Sequence, residues 1–478
     1  MRKLEGIKPE KVFYYFEEIS QIPRESYNEK EISNFLVEFG KKHNLETYQD
    51  KRYNVILRKK AQKGYEDCPG IILQGHMDMV CEKENDSNHD FKKDPINLIV
   101  EGNTLRADKT TLGGDNGIAL AMGMALLEDE SIKCQIELLA TTSEEVDLGG
   151  ALALEPNLLK GSMLINLDSE EEGIVTVGSA GGIEIDVNLP ISKKEVSESS
   201  LYTISLEKLK GGHSGAEINQ KRGNANKIMV ELLEKLSKEA EFNFVEVSGG
   251  SKDNAIPRVA KVTLASKEDI KEKINSICDE LKGKYMSFEP NITFNLEVTE
   301  GKNILAMSKE NFNSYVKTIK EIPTGVNTWM KEYPEIVESS DNLAIVKTLE
   351  DSINIIISLR SSDPKVLEDL KSKMVEILKE NGAKYEFSDG YPEWQYRAES
   401  KLRDKAVEVY KKLYNEDMKV EVIHAGLECG ALSQNYPNID FISVGPNMKD
   451  VHTPSETLDI ESTERVYNYV VELINSLY

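Results

Sequence analysis

The chain has 478 residues, with 59 basic against 83 acidic side chains and a net charge of −24. That length exceeds what one hydrophobic core usually serves, so two domains are expected. The charge excludes nucleic acid and anionic membrane surfaces as natural partners, and no apolar run approaches the ~20 residues of a membrane span.

The opening MRKLEGIKPEKVFYYF has no apolar signal core, so it reads as part of the fold. Residues 10–20 and 29–43 read as helices, and YNVILRK as a strand. CPGIILQG is an apolar run of buried-strand type that stops abruptly at His76-Met77-Asp78. TTLGGDNGIALAMGMALLEDE is a glycine-rich turn entering an apolar helix. KCQIELLATTSEE and GSMLINLDSEEEG are short apolar strands that end in carboxylates. From about 190 the texture changes to lysine- and glutamate-rich strands such as LYTISLEKLKG and SINIIISLRSS, with amphipathic helices at KIMVELLEKLSKEAE and KVLEDLKSKMVEILKEN. After about 395 a helix, LRDKAVEVYKKLY, and two strands, KVEVIHAG and IDFISVG, return to the first style. The expected class is α/β. A mostly parallel-sheet catalytic domain with helices on both faces, 1–190 and 393–478, is interrupted by an inserted α+β domain at 191–392. The five cysteines (Cys68, Cys81, Cys134, Cys278, Cys429) form no C-x-x-C pair. This speaks against a disulfide framework and for a reducing, cytoplasmic setting.

The chemistry concentrates at strand ends. His76 and Asp78, two apart on an extended segment, face the same side. Asp78 can orient a ligating histidine, its neighbour or another. Asp115, in GGDNG, opens the apolar helix either as an N-cap or as a bridging ligand. Glu144 and Glu145 close a buried strand, where two like charges call for separate roles: Glu145 on a cation, Glu144 handling a proton. Asp168 is the first carboxylate after LINL, and Glu170, Glu171 and Glu172 read as surface residues. His452 lies in a Gly/Pro-punctuated loop, as a structural residue or a ligand. Two histidines and three carboxylates suit two divalent ions, zinc first, with cobalt or manganese able to use the same set. Three carboxylates and one hydroxide balance the four positive charges.

The segments GHMDMV, TLGGDNGIALAM, TTSEEVDLGGA, LINLDSEE, GGHSGAEI and GPNMKDVHTPSE run in order over nearly the whole chain. Together they resemble the aminoacylase/carboxypeptidase-type dinuclear zinc peptidases. The resemblance implies that His76 and Asp168 hold one ion, Glu145 and His452 the other, and that Asp115 bridges them through a cis Asp115–Asn116 peptide. It implies Glu144 as general base and acid and Asp78 as orienter of His76. It further implies a lid and dimerisation role for the inserted domain, with His213 reaching a partner's site in a homodimer to stabilise the oxyanion. A structural turn histidine is the alternative.

Asn254, in DNAIP, and Arg360 match substrate-contacting positions, the arginine clamping a terminal carboxylate. A turn asparagine and a surface arginine are the alternatives. Glu428, in HAGLECG, matches the dipeptidase branch, where it would receive a free amino group, or else is a carboxylate supporting the metal ligands or a loop carboxylate. The implied reaction is hydrolysis of dipeptides, those ending in histidine preferred. An N-acyl-amino-acid amidohydrolase, a tripeptidase and a non-catalytic peptide- or metal-binding protein are its rivals.

Overall fold

Apolar runs of four to six residues become strands because both their faces are covered. In the computed structural model every residue of Ile71–His76 and Ile136–Thr141 is buried. The structure describes residues 2–197, 199–331 and 333–478. They divide into two compact units, one of 1–179, 394–422 and 427–478, the other of 180–393 and 423–426.

The first unit carries an eight-stranded sheet. Its order is Glu46–Gln49, Val55–Lys59, Ile136–Thr141, Ile71–His76, Met163–Asn166, Asp440–Ser443, Ile174–Ser179 and Lys419–Ile423. The centre is parallel: Ile71–His76 pairs parallel with Ile136–Thr141 and with Met163–Asn166, which pairs parallel with Asp440–Ser443. The flanks are antiparallel, at Glu46–Gln49 with Val55–Lys59, Val55–Lys59 with Ile136–Thr141, and Asp440–Ser443 with Ile174–Ser179. The sheet is therefore mixed, not mostly parallel. Alternating strand and helix signals gave the parallel centre; of the antiparallel flanks, Glu46–Gln49 returns to Val55–Lys59 through a short connection, whereas the other two pair strands distant in the chain, which local patterning does not reveal. The carboxyl ends of the central strands share one rim, since His76 stands in register with Thr141 and Gln74 with Asn166. Open α/β sheets place their sites at such a rim.

The helix Gly114–Leu127 has nearly every residue buried, as its all-round apolar sequence requires, and packs on Glu10–Ile19. A small antiparallel sheet pairs Leu98–Glu101, Thr104–Ala107, Thr457–Asp459 and Met448–Lys449 in turn, and so fixes both ends of the loop carrying His452.

The second unit is built on an eleven-stranded sheet whose recorded pairings are all antiparallel. Strand Gly181–Pro190, which the sequence reading placed in the first part, pairs along its whole length with Ser352–Ser361 in this sheet. Its apolar alternation is common to both styles of domain, so only the pairing partner decides its place. Helices Ala225–Glu239, Lys271–Tyr285, Lys309–Glu321 and Pro364–Glu380 supply apolar stripes to this unit's core. Local chemistry starts them. Asn224 caps the first by accepting from the Asn226 and Lys227 amides, and Asp363 caps the last with Pro364 just inside.

Candidate metal centre

Four of the five expected ligands sit where secondary structure ends. His76 closes its strand, Asp115 lies at the kinked start of Gly114–Leu127, Glu145 is in the short turn Glu144–Asp147, and Asp168 follows Met163–Asn166. His452 comes from the loop between Met448–Lys449 and Thr457–Asp459 and adopts a left-handed backbone, φ 62°. The peptide Asp115–Asn116 is cis.

These side chains converge. His76 Nε2 lies 3.0 Å from Asp115 Oδ1 and 3.5 Å from Asp168 Oδ1, while His452 Nε2 lies 3.1 Å from Asp115 Oδ2 and 3.0 Å from Glu145 Oε2. Three groups have ligand atoms within 4.8 Å of one another: His76–Asp115–Asp168 and Asp115–Glu145–His452, which share Asp115, and His76–Glu144–Glu145, which brings Glu144 beside them. Glu144 Oε2 stands 4.0 Å from His76 Nε2. Asp78, fully buried, faces His76 Nδ1 at 3.4 Å and accepts from Ser26 Oγ and from the Glu144 and Glu145 amides at 2.8, 3.0 and 3.2 Å. Asp78 therefore ties the orientation of His76 to the turn bearing both glutamates.

The electrostatics state what this pocket needs. Burial, with Asp168, Glu145 and Glu428 adding their charge, drives the Glu144 carboxyl well above the usual range. The same burial, with Asp115 and Glu145 beside it, pushes Asp168 up to about 6. Hydrogen bonds to Asp115 and Glu145 raise the His452 imidazole to about 11. Burial and like charge favour the protonated forms of Glu144 and Asp168, while contacts with Asp115 and Glu145 favour the charged form of His452. Glu145 Oε1 is buried without a hydrogen-bond partner, an oxygen free to coordinate. Two imidazoles, three carboxylates, one shared, and an orphaned carboxylate oxygen fit a pair of divalent ions.

Several supports carried no sequence signal. Glu456 is buried and accepts from four successive amides: Leu112 at 2.7 Å and Gly113 at 3.0 Å on Oε2, Gly114 at 2.8 Å and Asp115 at 3.3 Å on Oε1. It thereby locks the turn presenting Asp115 to the loop presenting His452. Arg24, also buried, donates to the carbonyls of Met77, Asp78 and Gly113 at 2.9, 2.9 and 2.5 Å. Asn116 accepts from the His76 amide at 3.2 Å and donates to the Leu167 carbonyl at 3.0 Å, joining two ligand-bearing strand ends. Glu456 and Asn116 lie inside the segments GPNMKDVHTPSE and TLGGDNGIALAM, whereas Arg24 lies in none of the motifs.

Glu428 is fully buried. Its Oε2 accepts from Gln74 Nε2 at 2.5 Å and Thr141 Oγ1 at 2.8 Å, and Oε1 has no partner. Burial pushes its carboxyl up to about 8. It is neither a loop carboxylate nor open to solvent, because helix Glu428–Asn435 begins under the sheet rim. Glu170 and Glu171 are exposed, but Glu172 is pinned by Arg465 and by Asn447 Oδ1, which accepts from its amide at 2.8 Å.

His213, Asn254 and Arg360 belong to the second unit. His213 Nδ1 accepts from the Gly215 and Ala216 amides at 3.1 and 3.0 Å, and the His213 amide donates to Glu217 Oε2 at 3.0 Å. Burial, with the Arg360 charge nearby, brings the imidazole down to about 4. The ring is therefore neutral at pH 7 and carries its proton on Nε2, a hydrogen-bond donor without a charge. Asn254 is exposed, and its carbonyl accepts from the Ser214 amide at 2.8 Å, holding the same turn. Arg360 is buried, not a surface arginine, because it lies inside the sheet on Ser352–Ser361.

Comparison with known proteins bears on these residues. The model of "Peptidase family M20/M25/M40" matches residues 72–476, nearly the whole chain. A cytosol non-specific dipeptidase of Escherichia coli (strain K12) is 34% identical over 483 residues, covering 100% of this chain and 99% of the relative. The crystal structure of an aminoacylhistidine dipeptidase from Vibrio alginolyticus superposes with a TM-score of 0.87 at 33% identity, covering 99% of this chain and 98% of that one. An aminopeptidase PepT from Bacillus cereus, 16% identical with a TM-score of 0.58 over 98% of this chain and 99% of that one, shares the fold.

Proposed function

The chain belongs to peptidase family M20/M25/M40, and from that premise we propose that it is a dinuclear metallopeptidase that hydrolyses dipeptides. The observation that carries the reading is the pair of ligand triads sharing Asp115, with Glu144 poised beside them. In it His76 and Asp168 would hold one ion and Glu145 and His452 the other, with Asp115 belonging to both sets. Zinc is the first choice for this donor set, with cobalt and manganese next. When bound, the ions polarise a peptide carbonyl and ease deprotonation of water at neutral pH.

The chain's own residues supply the rest. Glu144 takes the proton from the attacking water and returns it to the leaving amine, which suits a buried carboxyl held well above its usual range. Asp78 holds the His76 ring in its ligating orientation. His213, reaching in from the partner protomer, donates a hydrogen bond from its Nε2–H to the developing oxyanion, and the neutral ring does so without adding a charge to be desolvated. Arg360 receives the terminal carboxylate, and Asn254 contacts the substrate. Glu428, considered first for the substrate's amine, is enclosed and held by Gln74 and Thr141, and we assign it to supporting the carboxylate cluster from below.

The second unit acts as lid and dimerisation domain in a cytoplasmic homodimer, consistent with the name of the Escherichia coli relative, "cytosol". Among the described residues no helix is long and apolar enough to cross a membrane. The substrate is a dipeptide, those with histidine second being the preferred class. The two dipeptidase relatives carry different selectivities in their names, "non-specific" and "aminoacylhistidine", so a substrate panel decides. The test assays metal-stripped and metal-restored protein on dipeptides with and without a second histidine, tripeptides and N-acetyl amino acids. Dipeptide hydrolysis that is lost on stripping and regained with zinc, cobalt or manganese is the expected result. Hydrolysis of N-acetyl amino acids alone, or activity indifferent to stripping, overturns the reading.

A further inference from the structure

A guanidinium taken out of water needs a partner for its charge or its donors. Arg360 is 6% exposed. Among the described residues it forms no ion pair, and its Nε is buried without a hydrogen-bond partner, while Nη1 donates to the hydroxyl of Tyr391. The Arg360 carbon lies 5.8 Å from the centre of the Tyr391 ring, within cation–π range. A buried cation held by a neutral phenol, with the Glu184 and Asp253 carboxylates near but not in ion-pair contact and donors left over, is arranged for an incoming anion.

The phenol has its own built slot. Arg360 stands opposite Gly182 across the pairing of Ser352–Ser361 with Gly181–Pro190. Because Gly182 has no side chain, the Tyr391 ring occupies the space beside Arg360. A Cβ on Gly182 would lie 2.5 Å from the ring's Cζ and Oη, and one on Gly426 would lie 2.7 Å from Cε2. Tyr391 is anchored there by reciprocal backbone bonds with Gly182, at 2.9 and 3.0 Å. Burial keeps the phenol protonated by raising it above its ordinary range.

We infer that Tyr391 is a positioning residue that presents the Arg360 guanidinium to the substrate's terminal carboxylate, and so sets the enzyme's preference for a free carboxyl over an amide end. The inference rests on the proposed role of Arg360. The experiment compares kcat and KM for alanyl-histidine and alanyl-histidine amide in the unmodified protein, Tyr391→Phe, Gly182→Ala and Arg360→Gln, each checked for folding by thermal melting. Tyr391→Phe keeps the ring in its slot and removes only the hydroxyl. It is expected to raise KM for the acid about 10- to 100-fold, the worth of one buried hydrogen bond to a charged group, with kcat within about twofold and the amide unaffected. Gly182→Ala, by displacing the ring, should move KM in the same direction. An unchanged KM for the acid in Tyr391→Phe, or equal losses on acid and amide, overturns the inference while Arg360→Gln still erases discrimination. If discrimination survives Arg360→Gln, the reading of Arg360 itself falls and the inference with it.

Discussion

The two units bury charge of opposite character. The first encloses Asp78, Asp115, Glu144, Glu145, Asp168 and Glu428 around two imidazoles; burial lifts the carboxyls of Glu144, Asp168 and Glu428, whereas contacts with the imidazoles hold Asp78 and Asp115 down. The second encloses His213 and His424 near a lone guanidinium, and the same burial strips the imidazoles of charge, bringing them down to about 4 and about 3. Low polarity penalises whichever form is charged. The sign of the outcome depends on which side chains the fold collects. One unit thereby collects groups suited to metal ions, and the other neutral imidazoles beside a buried guanidinium.

The largest effect expected of a single change lies in the first unit. Glu144→Ala should lower kcat by about 10²- to 10⁴-fold while bound metal, measured by elemental analysis, stays near two per chain. Loss of metal along with turnover would place Glu144 among the ligands and remove the division between proton handling and ligation. A smaller loss is expected from Glu456→Gln, which disturbs the four amide bonds holding the Asp115 turn. Calorimetric titration of the stripped protein should show metal affinity falling about tenfold or more, with kcat largely recovered at saturating metal. Unchanged affinity would show that turn to be held without it.

The smallest effect probes the exception in the second unit. Asp341 is buried with Oδ1 unpartnered, accepts from Asn327 Nδ2 at 2.8 Å on Oδ2, and is pushed by burial up to about 6 from 3.8. Because the folded state holds its proton more tightly than the unfolded chain, stability falls as pH rises from about 4 through about 6. Asp341→Asn should therefore be nearly neutral at pH 4 and stabilise the protein by about 1–2 kcal/mol at pH 7.5, as read by urea unfolding. An equal effect at both pH values would show that Asp341 titrates normally and is not a buried exception.

Much of the candidate site was legible because its residues sit at sharp transitions in the sequence. An apolar run ending in His-Met-Asp, and two others ending in carboxylates, mark the ends of buried strands, and the rim follows from a parallel centre. The supports were not legible. Arg24 and Asn116 act through backbone carbonyls and amides contributed by segments far away in the chain, and nothing in IPRES or GDNG advertises those partners. Glu428 and Arg360 were visible as charges, but their burial depends on which elements cover them.

By itself, then, the sequence determined the local alphabet: strand ends, helix starts, the donor types suited to divalent ions, and the change of texture near 190 and 395. It did so because hydrophobic periodicity and side-chain chemistry are short-range properties. Tertiary structure alone decided that the sheet is mixed, that Gly181–Pro190 joins the second unit, that Asp115 is shared by two triads, and that Tyr391 lies between two glycines against Arg360. Those are matters of pairing and enclosure between residues tens to hundreds of positions apart, and burial by distant segments is what turns an ordinary side chain into a shifted acid, a neutral donor or a receptor.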